Sequence, residues 1–128
     1  MKKSILMEKY PVYTLELQKS EVKQTNVTQI VEYFKEKIEN HKIAKFVGIF
    51  DHYTHTADMN GPINPAIKDA QNILFCFGPA IPNTQILAVR PRSIGICELE
   101  DRFTIDFLEA PKEQLHELME TWAKDLRI

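Results

Sequence analysis

Little in this 128-residue chain is specialised. It has only four glycines, two cysteines and one tryptophan, and no internal repeat, low-complexity tract or interdomain linker. The two cysteines form no CxxC pair, which suits a reducing compartment. Gly78 stands alone, so no glycine-rich phosphate loop supports nucleotide binding. No apolar run reaches the roughly 20 residues of a membrane span. The formal net charge is -2, so the chain as a whole has no attraction for nucleic-acid phosphates or anionic lipid. At the start, Lys2 and Lys3 precede Ile5, Leu6 and Met7, yet Glu8 and Lys9 cut this run short of the roughly 7 to 15 apolar residues of an export signal. These absences predict a cytoplasmic protein with neither nucleic acid nor membrane as a partner. Charged residues make up 27% and hydrophobic residues 44%, enough for one folded domain over 1–128 that needs no disulfide or metal.

What is present reads as regular structure around an irregular centre. Residues 1–9 are expected to be a loose lead-in. Tyr13, Leu15 and Leu17 then alternate with polar neighbours, as in a strand with one buried face. Asn26 and Gln29 stand at capping-box spacing before the stripe Val27, Ile30, Val31, Phe34 and Ile38, which predicts a helix over 27–39 ending near Asn40, a residue that tolerates the left-handed cap conformation. Residues 43–50 are apolar at nearly every position and predict a strand buried on both faces or central in its sheet. Residues 51–70 fit neither period, with turn signals at Asn60-Gly61-Pro62 and Asn64-Pro65. Residues 72–77 read as a short buried strand, and Asn83 as the cap of a helical turn that Pro91 ends. Ser93–Leu99 and Phe103–Leu108 form a hairpin. Leu115, Leu118, Met119, Trp122 and Leu126 place a second helical stripe in 111–127. Strand, helix, four strands, helix is the order of an α+β two-layer sandwich, with a mainly antiparallel five-stranded sheet and both helices on one face.

Three segments resemble a known family: Phe50-Asp51-His52, Ile73–Leu87 (ILFCFGPAIPNTQIL) and Arg90–Asp101 (RPRSIGICELED). They are similar to the bacterial domain of unknown function 302, in which an apolar strand ends in Asp-His and a later strand ends in Phe-Gly-Asn-Pro. This chain lacks the Asn between Gly78 and Pro79 and has Asn83 where a second glycine is expected. The resemblance implies a β-α-β4-α unit like one copy of the TATA-binding-protein fold, and a homodimer. It implies no reaction.

Chemistry-bearing residues gather in the middle, where Phe50–Arg92 holds five of the seven prolines and two of the four histidines. His52, His55 and Asp58 recur every three residues, which on a helix gives one face able to offer two imidazoles and a carboxylate to a divalent transition metal. His52 equally suits a hydrogen bond within its own loop, or a role in proton transfer or ligand contact. Arg90 and Arg92 flank Pro91 beside the Asn83-Thr84 turn, a setting for a carboxylate or phosphate. The same arginines have Glu98, Glu100 and Asp101 as candidate ion-pair partners. Cys76 and Cys97 fit buried, inert thiols better than a redox pair. The expected ligand residues are thus His52, Asn83, Thr84, Arg90 and Arg92, in a pocket between the 52–65 loop and the 78–92 turn. Three function classes follow: a small-ligand or metal-binding module, a homodimeric interaction module, and an enzyme using His52 as acid or base.

Overall fold

The computed structural model describes residues 1–128. It contains strands β1 (Lys2–Leu6), β2 (Tyr10–Gln18), β3 (Ala44–Phe50), β4 (Asp69–Phe77), β5 (Arg92–Glu98) and β6 (Arg102–Leu108). The helices are α1 (Val27–Glu39), α2 (His52–Asp58) and α3 (Glu113–Lys124), with 3-10 turns at Lys19–Glu21 and Thr84–Ala88. One six-stranded, wholly antiparallel sheet runs in the order β1-β2-β6-β5-β4-β3. The fold is α+β, with one more strand and one more helix than the sequence led us to expect.

The core follows from period-2 patterning in the strands and the two helical stripes. Leu15 and Leu17 of β2, Ile73, Phe75 and Phe77 of β4, Ile94 and Ile96 of β5, and Phe103, Ile105 and Phe107 of β6 all point to one face of the sheet and are buried there. The α1 stripe and Met119, Trp122 and Ala123 of α3 complete the same cluster, so both long helices cover that face. Trp122 of α3 packs on β4, its ring 6.0 Å from Phe77 and 5.9 Å from Phe75. Tyr33 of α1 donates to the Trp122 carbonyl at 2.7 Å and ties the helices together.

Several local expectations are met and others corrected. Asn26 caps α1 by accepting from the Gln29 N–H at 2.8 Å, but the Gln29 side chain returns the bond to the Thr25 N–H. Asn40 closes the helix in a right-handed conformation, φ -86°, and not a left-handed one. The supposed lead-in is β1, paired with β2 across a tight turn in which Met7 (φ 53°) and Glu8 (φ 62°) are both left-handed. Neither is the Asn or Gly that usually marks such a turn, which is why it escaped notice. β3 is an edge strand with a bulge between Phe46 and Gly48, and Val47 and Ile49 are 55% and 44% exposed. A run of apolar residues carries no sign of whether both neighbours exist, so the expectation of a central strand failed. Residues 52–58, left unassigned by their pattern, are α2, capped by Asp51, which accepts from the Thr54 N–H at 3.1 Å. α3 starts at Glu113, two residues beyond Pro111. No helix is long and apolar enough to cross a membrane.

Candidate functional site

The face of the sheet turned away from α1 and α3 carries one straight row across all six strands. In register, Phe50 pairs with Asn72, Asn72 with Gly95, Gly95 with Asp106, Asp106 with Thr14, and Thr14 with Lys2. Beside this row the middle of the sheet opens. The β5–β6 ladder covers only Gly95–Glu98 against Phe103–Asp106, whereas β4 stays paired with β5 as far as Arg92 and β2 with β6 as far as Leu108. β5 and β6 therefore fork. The Arg92 guanidinium reaches across the gap and donates to the Leu108 carbonyl.

This fork is the end of a groove of about 810 Å³. Thr14, Asn72, Ser93, Gly95 and Asp106 lie in its floor, Leu6, Tyr10 and Val12 form one wall, and Ala88, Val89 and Pro91 the other. Gly95 gives the floor its depth, because a Cβ there would stand 3.5 Å from Asn72 Nδ2 and 3.6 Å from the Asp106 carbonyl. A mostly apolar cleft with a few converging polar groups is the usual form of a small-molecule site.

The polar groups of the groove are unevenly satisfied. Arg92 is half-buried, its pKa lowered by burial, and its Nε is enclosed without a hydrogen-bond partner. Asp106 is half-buried too, and burial raises its pKa while the Thr14 and Thr104 hydroxyls hold it down. Neither takes part in any ion pair, with each other or with a third residue. Asn72 donates from Nδ2 to Ser93 Oγ at 3.0 Å, and its Oδ1 lies 3.0 Å from His52 Nδ1. Since Asn72 offers an acceptor there, His52 carries its proton on Nδ1.

The expected site residues are divided by this arrangement. Arg92 lines the groove, and His52 stands behind Asn72 without reaching the cavity. Asn83 caps the 3-10 turn by accepting from the Ile86 N–H at 3.0 Å, Thr84 begins that turn, and Arg90 donates to the Ala80 carbonyl at 2.7 Å. None of these three faces the groove. The expected ion pairs of Arg90 and Arg92 with Glu98, Glu100 and Asp101 do not form; Glu98 pairs with Lys19 and Asp101 with Arg102. His52 and His55 do share α2, but their rings are 6.3 Å apart and tilted around Phe50. They form no metal-holding group with Asp58, nor does any other set of three His, Cys, Asp or Glu side chains. Cys97 pairs in register with Ala70, six residues along β4 from Cys76, so the thiols are roughly 20 Å apart. Burial raises the Cys97 pKa, against a reactive thiolate.

Asn72, Ser93, Asp106 and Thr14 escaped the sequence reading because each looks like an ordinary outward-facing strand residue. His116 also escaped it. It is the one buried polar side chain, taking the Ala110 N–H on Nδ1 at 3.3 Å and facing Glu120 with Nε2 at 3.0 Å. That pattern makes it a structural imidazole, packed against the Tyr13 ring 4.1 Å away.

Neither a curated protein nor a solved structure matches this chain. The resemblance to domain of unknown function 302 finds no support in the family comparison, which points elsewhere. The model of a different family of unknown function, DUF6858, matches residues 1–128, and the chain belongs to that family.

Proposed function

We propose that this protein is a small-ligand-binding module whose ligand presents an anionic group to Arg92 in the β5–β6 fork. The observation that carries this reading is a half-buried guanidinium on a residue that lines the groove, with no carboxylate paired to it. Burying an unpaired charge is costly, and folded proteins normally pair it. The apolar walls supply contact for the remainder of the ligand, and the open side of the groove gives it access. Hexanoate combines a carboxylate with a short apolar tail and is the simplest probe. Titrating it into isotope-labelled protein is expected to give saturable amide shifts centred on 92–95 and 106–108, lost in Arg92→Gln. Absence of saturable shifts in the wild-type protein would remove this reading.

A second reading, self-association, draws on a different observation. β3 leaves a free edge bearing Ile43, Val47, Ile49 and Phe50, all exposed, with Lys45 as its only charge. The opposite edge, β1, begins with Lys2 and Lys3, the kind of charge that blocks strand addition. A homodimer continuing the sheet through β3 would cover that apolar edge. Sedimentation at tens of micromolar should then show a dimer that Val47→Lys converts to monomer; a wild-type monomer would discard the idea.

A further inference from the structure

Arg92 and Asp106 carry opposite charges in one groove and do not neutralise each other. Gly95 pairs with Asp106 across the β5–β6 ladder and stands two residues along β5 from Ser93, on the same face. Resting on the proposed anion site, we infer that the ligand is a small zwitterion, its carboxylate held by Arg92 and Ser93 and its protonated amine by Asp106.

The hydrogen-bond directions support both ends. Ser93 Oγ accepts from Asn72 Nδ2, so its own proton remains to be given, and the hydroxyl lines the groove. His52 holds Asn72 in the orientation that makes this so, because its Nδ1–H occupies Oδ1. His52 is thus a positioning residue two steps removed from the ligand. The Arg92 side chain, held at the fork by the Leu108 carbonyl, and the Ser93 hydroxyl both line the groove, and together they are the donors offered to a carboxylate. At the other end, Asp106 accepts from Thr14 Oγ1, and the Thr104 hydroxyl is a second donor to it. An ionised carboxylate has about four acceptor positions, so capacity remains for an ammonium. The Arg92 guanidinium sits at the Leu108 carbonyl, two residues along β6 from Asp106, which sets the charged heads roughly 7 Å apart.

The spacing suits 6-aminohexanoate as a probe, with hexanoate and hexylamine as its two halves. Calorimetric titration of the full chain is expected to show 6-aminohexanoate binding about tenfold more tightly than hexanoate, and hexylamine more weakly than either. In Asp106→Asn the advantage of the amine should vanish while hexanoate binds as before; in Arg92→Gln both carboxylates should be lost. Equal wild-type affinity for 6-aminohexanoate and hexanoate, with both dependent on Arg92, would overturn the zwitterion and leave the anion site standing. A wild-type protein that binds neither would overturn both. Asp106→Asn retaining the preference would also overturn the inference, and the wild-type comparison decides the matter even if a variant fails to fold.

Discussion

Arg92 and Leu108 are joined by a hydrogen bond from guanidinium to backbone carbonyl at the place where their two strands have stopped pairing. One side chain thereby does the work of a missing ladder bond. Its replacement tests how much the fork relies on it. Arg92→Met keeps the apolar stem but leaves the Leu108 carbonyl facing the groove, where water reaches it. The expected loss of stability is about 1–2 kcal/mol in urea unfolding, well short of the penalty for a dry orphan. Cooperative unfolding should persist.

Gly95→Val separates space from stability. The added Cβ meets only ordinary contacts, at 3.5 and 3.6 Å, and valine favours strands over glycine. The melting temperature should hold or rise, while the branched methyls fill the floor between Asn72 and Asp106. Hexanoate affinity should fall by about tenfold or more by calorimetry.

Asp106 should make the protein less stable as pH rises. Burial raises its folded pKa above the ordinary 3.8, with the two threonine hydroxyls opposing this in part. The folded state therefore holds its proton longer than the unfolded state, and this contribution is lost as pH climbs from 3.8 through the raised value. Asp106→Asn should melt at or above the wild-type temperature at pH 7 and lack that part of the pH dependence.

Tyr33 should ionise late. Burial, with a smaller contribution from Asp125, pushes its pKa to about 12 from 10.0. Above pH 10 the unfolded state gains a phenolate that the folded state resists, so stability falls between pH 10 and about 12. Absorbance titration should show the delayed phenolate, and Tyr33→Phe should remove both the step and its share of the alkaline loss.

Glu8 occupies a left-handed position at φ 62°. Glycine adopts that conformation freely, so Glu8→Gly should stabilise the β1–β2 hairpin by about 1 kcal/mol in urea unfolding.

The parts of this fold that were legible in the sequence are those specified by local periodicity. The stripe from Val27 to Ile38 marked α1 to the residue, and the alternation of Phe103, Ile105 and Phe107 marked the second arm of the hairpin. β1 was invisible because Ile5, Leu6 and Met7 are exposed and its turn uses Met7 and Glu8. The edge position of β3 was invisible because strand order is a property of the assembled sheet. Among candidate site residues, Arg92 was legible as a cation beside a turn. Thr14, Asn72, Ser93 and Asp106 become neighbours only once four strands are in register, across separations in sequence of up to 92 residues. Histidine spacing drew attention to α2, whose His52 contributes one step back from the cavity.

The shortness of the β5–β6 ladder has a mechanical side. Seven residue pairs join β2 to β6 and seven join β4 to β5, but four join β5 to β6, so the sheet is most weakly stitched at its centre. Its halves, β1-β2-β6 and β3-β4-β5, meet there like two boards on a short hinge, braced from behind by α1 and α3. A molecule seated in the fork touches both boards at once. Filling the groove therefore stiffens the whole sheet along its seam, and the amides of Gly95–Glu98 and Phe103–Asp106, not only those at the binding residues, should register occupancy as slower hydrogen exchange.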